Sequence, residues 1–153
     1  MRDEEGSTPP CYPFARGRAN SSFLCGQGTS IPVDGYILTS VRGDDWLAPR
    51  FLKDNIPFVQ IGRLPEPQQN PPHFVDVDNY QGAMAAVAHL VERGHERIGT
   101  ITGPQTMAAG RDRLRGYTDG LEQAGITSKP EWLALGDWEM ESGYVAMQKL
   151  LAL

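Results

Sequence analysis

The most constraining feature is a change of period within one stretch, DNYQGAMAAVAHLVERGHERIGTIT, Asp78 to Thr102. Ala83, Ala86, Val87, Leu90 and Val91 recur at i, i+3, i+4, i+7 and i+8, the stripe of an amphipathic helix. Asp78 or Asn79 stands where a side-chain oxygen caps such a helix, and Gly94 where a left-handed residue ends it. Beyond Gly94 and His95, the run Arg97 to Thr102 is short and apolar, which suits a strand buried in a parallel sheet. A helix that doubles back into a strand through a tight Gly-His turn is half of a crossover unit. The chain is therefore expected to be α/β.

The same alternation extends both ways. GYILTS (Gly35 to Ser40), PFVQI (Pro57 to Ile61), FVDV (Phe74 to Val77) and WLAL (Trp132 to Leu135) read as further strands. Trp46 to Asp54 has near-helical apolar spacing, but Pro49 predicts a short or kinked helix. LPEPQQNPPH, Leu64 to His73, is too proline-rich for a core element and reads as an exposed loop. A helix from about Met107 to Ala124 buries Leu114, Tyr117 and Leu121 and stops at Gly125. A last helix, Glu139 to Leu153, is expected to turn Tyr144, Met147, Leu150 and Leu151 inward. This order implies right-handed crossovers and parallel strands covered on both faces.

Residues 1–31 carry neither an apolar period of two nor one of 3.6 and are read as an irregular segment preceding a domain over residues 32–153. Their GQG, Gly26 to Gly28, lacks a preceding strand and a third glycine, so it is no dinucleotide loop. Cys11 and Cys25 show no metal-binding spacing and are expected to be free thiols. With 14 Lys and Arg against 19 Asp and Glu, the chain lacks the basic surface of a free-standing nucleic-acid binder. It contains no apolar run of membrane-spanning length. The polar, acidic start MRDEEGSTPP is unlike a secretion signal, so the expected compartment is the cytoplasm.

Parallel sheets bind ligands beyond the carboxyl ends of their strands, which directs attention to the residues following each one. Two clusters stand out. GPQTMAAGRDRLRGY places Arg111, Arg113 and Arg115 two residues apart, so they cannot share one helical face. Either they are solvated, or one of them holds ligand oxygens. GDW, Gly136 to Trp138, sets an aromatic ring at the mouth of the same sheet, to grip a ligand or to plug the core. There is no GxSxG, P-loop or HExxH pattern, and no metal or cofactor is expected. His73, His89 and His95 read as surface or structural, with His95 placed to meet the last carbonyls of the preceding helix.

The run VDVDNYQGAMAAVAHLVERGHERIGTITGP, Val75 to Pro104, resembles the LacI/GalR family of bacterial transcription regulators. The resemblance continues through VDGYILTS, IPFVQIGR, RDRLRGYTDGLEQAGI and GDWEMESGYVAMQKLL, covering about residues 32–153. It implies part of an effector-binding domain with the periplasmic-binding-protein fold, incomplete in both lobes, whose cleft holds a sugar. It also implies a homodimer, and operator DNA bound through a helix-turn-helix that residues 1–31 do not resemble. By the same resemblance Arg113 is the effector arginine, Trp138 the aromatic packed on the ligand ring, and Arg63 a substitute for an acidic effector contact at Gly62. Asp78 and Asn79, at the lobe crossing, and Gly94 and His95, in the turn, are structural.

A solute-binding protein of an uptake system shares the fold, but the start of the chain and the GHERIG turn favour a regulator; a doubly wound enzyme is a more distant alternative. Without the further strands, open sheet edges predict self-association of the isolated chain.

Overall fold

A computed structural model describes residues 13–14, 22–23, 34–39, 42–44, 46–67 and 69–153. The chain divides into two compact units, Met1–Asp34 and Gly35–Leu153. In the first, β1 (Pro13–Phe14) pairs antiparallel with β2 (Ser22–Phe23), a two-residue ladder in a segment expected to be irregular. Cys11, Cys25, the GQG fragment and Ser40 lie outside the described residues.

The second unit is α/β with parallel strands throughout. β3 (Tyr36–Leu38), α1 (Leu47–Lys53), β4 (Phe58–Ile61) and β5 (Phe74–Val75) build one sheet in the order β3-β4-β5. Tyr36 stands opposite Phe58, and Gln60 opposite Phe74. Then α2 (Asn79–Glu92), β6 (Thr100–Thr102), α3 (Ala108–Gln123), β7 (Leu133–Leu135) and α4 (Met140–Leu151) follow. β6 and β7 pair in parallel with Thr100 opposite Leu133.

Three helices end in one way; two of the endings lead into β4 and β6, and the third leads through a 3-10 turn, Pro130–Trp132, to β7. After α2, Gly94 takes φ 82°; its N–H donates to Val91 O at 2.8 Å and that of His95 to Leu90 O at 3.1 Å. After α3, Gly125 takes φ 72°, with N–H donations from Gly125 to Glu122 O and from Ile126 to Leu121 O, both 2.9 Å. After α1, Asn55 takes φ 54°, and the N–H of Ile56 donates to Phe51 O at 2.9 Å. These paired bonds satisfy carbonyls that have no partner within the helix and turn the chain sharply. Pro49 is tolerated in α1 because it is the third helical residue, where an N–H would have had no helical acceptor.

Apolar packing follows the stripes. Val87, Ile98, Tyr117 and Leu121 form a buried cluster between α2 and α3, joined by Val91, Leu114 and Ile126. Under the other sheet, the buried Phe51 ring lies 4.9 Å from Tyr36 and 5.5 Å from Phe58, centroid to centroid.

The structure shortens each expected strand and corrects one helix face. Arg97 to Gly99 do not join the ladder, and the Ile98 carbonyl accepts from the Tyr117 hydroxyl at 2.8 Å instead. FVDV pairs only at Phe74–Val75, because the Asp76 carboxylate accepts from the Val77 N–H at 2.9 Å and bends the chain toward α2. On α4, Ala146 is buried and Leu150 lies over Gly99, whereas Tyr144, Met147 and Leu151 are exposed. The small Ala146 lets that side of the helix approach the sheet, and the bulkier stripe faces away.

Candidate functional site

The site is assembled at the carboxyl ends of β5, β6 and β7. Asp78 sits at the start of α2, where its carboxylate accepts from the Gln81 N–H at 2.9 Å and closes the first turn. Asn79, the next residue, is buried and held on three sides. Its side-chain amide donates to Val77 O at 3.2 Å and to Asp76 Oδ1 at 3.4 Å, while its Oδ1 accepts from Nε of Arg113 at 2.8 Å. Arg113 is thereby aimed from α3. Its guanidinium carbon stands 5.5 Å from the centroid of the Trp138 ring, within cation–π range.

Trp138 takes φ 68°, a left-handed conformation that costs a bulky residue about 1–3 kcal/mol. The residues on either side hold it there. Asp137 accepts from the Glu139 N–H at 3.0 Å and from the Ser142 hydroxyl, and its own N–H donates to Ser142 Oγ at 3.2 Å. The Ser142 and Glu139 donors lower the Asp137 carboxyl below its ordinary value. On the other side, Gly103 ends β6 under the indole: a Cβ there would lie 2.3 Å from Cε2 and Nε1 of Trp138.

Asp78, Asn79, Arg113 and Trp138 line one cavity of about 590 Å³ with the segment Gly99 to Gly103. One end is polar and aromatic. The rest is bounded by Ala83, Ala86, Val87 and Leu90 of α2, which places the exposed members of that stripe on the cavity wall.

Arg63 goes elsewhere. It pairs with Asp112 and, at 3.7 Å, with Asp76, and it lines a separate cavity of about 250 Å³ walled by Pro65, Pro67, Pro71 and Pro72. Arg111 leaves in the same direction, pairing with Glu66 and donating to Gln105 O at 2.7 Å. Arg115 lies over the Tyr80 ring at 4.4 Å. The three arginines thus point to three places, and only Arg113 reaches the Trp138 cavity. Gly94 and His95 lie at the far end of α2, in the turn described above.

Sequence reasoning placed Gly103 and Asp137 in the strand-end clusters but gave them no role, and it missed Ser142. The five-residue spacing of Asp137 and Ser142 around a lone tryptophan is a local signal that could have drawn attention to that loop.

Arginine and tryptophan thus converge where parallel strands end. Residues 28–153 match the model for periplasmic binding proteins and the sugar-binding domain of the LacI family. The chain belongs to this family. Among LacI-family relatives, the HTH-type transcriptional regulator CelR of Thermobifida fusca is 40% identical over 132 residues, covering 84% of this chain and 37% of CelR. The HTH-type transcriptional repressor CytR of Escherichia coli K12 is 46% identical over 79 residues, covering 52% of this chain and 23% of CytR. A solved complex of CelR with cellobiose superposes with a TM-score of 0.70 at 40% identity, covering 78% of this chain and 37% of that one. A LacI-family regulatory protein from Chloroflexus aggregans gives 0.69 at 32% identity, covering 79% of this chain and 42% of that one. The chain therefore spans well under half the length of these relatives. Among the described residues, no helix is long and apolar enough to cross a membrane, and no cluster of His, Cys, Asp or Glu could hold a metal ion.

Proposed function

We propose that this LacI-family chain supplies the effector-sensing part of a transcription regulator, and that the Trp138 cavity takes a sugar. The observation that carries the reading is the triad itself. Asn79 aims Arg113, and Arg113 stands beside a half-exposed indole at the ends of parallel strands. A flat apolar ring suits the C–H face of a pyranose, while a guanidinium donates to its hydroxyls. The solved CelR complex supports a glucose-containing sugar as the first ligand to try.

The same reading has the regulator working as a homodimer in the cytoplasm, with operator DNA held by a separate helix-turn-helix. Its chemistry is binding and release, with no turnover. Effector binding acts on DNA affinity by favouring one lobe arrangement over another. Asp78, Gly94 and His95 act as structural cap and turn, with the division between leading segment and sensing domain near residue 31.

Isothermal titration of the full-length protein with cellobiose and a panel of mono- and disaccharides tests this. Arg113→Ala and Trp138→Ala should each weaken binding at least about tenfold, the equivalent of about 1.4 kcal/mol. Arg63 enters the proposal as a second ligand-facing cation, and Arg63→Ala decides whether it contacts the sugar or serves only Asp76 and Asp112. Absence of saccharide binding, or binding indifferent to both Arg113 and Trp138, would overturn the sugar reading.

A further inference from the structure

Gly103 is crowded by one side chain more closely than Gly120, where a Cβ would meet only Val87 and no nearer than 3.0 Å. Its φ lies outside the left-handed range, so backbone conformation does not demand glycine there. The demand is steric and comes from a single side chain: the three atoms nearest to where a Cβ would sit are Cε2, Nε1 and Cζ2 of Trp138, at 2.3, 2.3 and 2.5 Å. Gly116 and Gly110 differ, because a Cβ at either would strike a backbone oxygen first.

We infer that Gly103 is a positioning residue for the sugar site: its bare Cα is the seat on which the Trp138 indole lies. This inference rests on the reading of Trp138 as the ring that packs on the ligand. The surrounding geometry makes the ring position sensitive to that seat. The Trp138 backbone is fixed by the Asp137 bonds to Glu139 and Ser142, so the indole is left with only its own side-chain torsions to adjust. It is 48% exposed, so it has solvent to swing into. A methyl group at position 103 would therefore move the ring and leave the strand in place. Moving the ring takes it out of register with Arg113, whose own direction is set independently by Asn79. The residue controls ligand affinity without touching a hydroxyl.

The test uses the full-length protein labelled with 5-fluorotryptophan. The 19F resonance of Trp138 is assigned by its loss in Trp138→Phe, and thermal unfolding and cellobiose titration are recorded in parallel. In Gly103→Ala the Trp138 resonance should shift while those of Trp46 and Trp132 stay put. Melting should change little, and saccharide affinity should fall at least tenfold. In Trp138→Ala, adding Gly103→Ala should cost nothing further in either binding or melting. An unmoved Trp138 resonance, or a second loss on the Trp138→Ala background, would overturn the inference. Should Gly103→Ala unfold, recovery of folding in the double variant supports the coupling and its failure overturns it. If the unaltered protein binds no saccharide, the sugar reading fails on its own, and the 19F shift with the double-variant melting still decides whether Gly103 seats the ring.

Discussion

Arg113 Nε and Asn79 Oδ1 are 2.8 Å apart, a charge-assisted bond that ties the first residue of α2 to the second turn of α3. The same guanidinium stands beside the Trp138 ring on the wall of the cavity. Asn79→Ala removes the acceptor, together with the amide that donates to Val77 O and Asp76. Hydrogen bonds to charged groups contribute about 1.5–3 kcal/mol. We expect saccharide affinity to fall about tenfold or more, and chemical denaturation to show a stability loss of about 1–2 kcal/mol. Asn79→Asp keeps an acceptor for Arg113 and should retain more affinity than Ala. Equal affinity for the Ala variant and the parent would show that Arg113 orients itself.

Two glycines near α2 make opposite predictions from the same empty surroundings. A Cβ at either Gly82 or Gly94 would meet nothing within 4 Å, so neither substitution is a packing change. Gly82 is helical, and Ala there should stabilise by about 0.5–1 kcal/mol through reduced freedom of the unfolded chain. Gly94 holds φ 82°, and Ala there should destabilise by about 1–2 kcal/mol. Denaturant midpoints of the two variants should move in opposite directions. If both moved the same way, the turn would not be governed by the Gly94 conformation.

These helix ends were legible in the sequence because their causes are local: a periodic stripe, a capping carboxylate and a left-handed residue within a few positions. Strand ends were less so. Whether Ile98 joins a ladder depends on a tyrosine 19 residues away that takes its carbonyl. The face that α4 buries could not be read from its apolar residues, since Tyr144, Met147 and Ala146 are all apolar and only the sheet's reach selects Ala146. At the site, Arg113 and Trp138 were visible through family resemblance. Their neighbours were not, because the Gly103–Trp138 contact joins residues 35 positions apart and leaves no pattern in either segment.

The α2–α3 pair depends on absent side chains at Gly116 and Gly120. A Cβ at Gly116 would lie 2.3 Å from Tyr80 O and 2.9 Å from Ala83 Cβ; at Gly120 it would lie 3.0 Å from Val87 Cβ. Gly116→Ala must push two helices apart, since a backbone oxygen cannot rotate away. We expect a loss near the upper end of the about 1–3 kcal/mol range for overpacking, with Gly120→Ala nearer the lower end. Separating the helices also lengthens the Asn79–Arg113 bond, so Gly116→Ala should weaken saccharide binding as well. Unchanged melting in Gly116→Ala would mean that the helices are not in close contact in solution.

Asp137 links pH to the loop that carries Trp138. The Ser142 hydroxyl, followed by the Glu139 N–H, lowers its carboxyl from the ordinary 3.8, against a smaller opposing effect of burial. Because the folded value is lower than the unfolded one, folding favours the ionised form. This stabilisation is fully present above the unfolded value and is lost as pH falls through the folded one. Ser142→Ala removes the largest cause, and the Asp137 midpoint followed by carboxyl 13C NMR should rise toward 3.8. Protonation weakens the same bonds that hold Trp138 left-handed, so the acid limb of saccharide binding should rise to higher pH in that variant. An Asp137 midpoint that is the same in both proteins would show that Ser142 does not bond to the carboxylate, and the account of how this loop fixes Trp138 would fail with it.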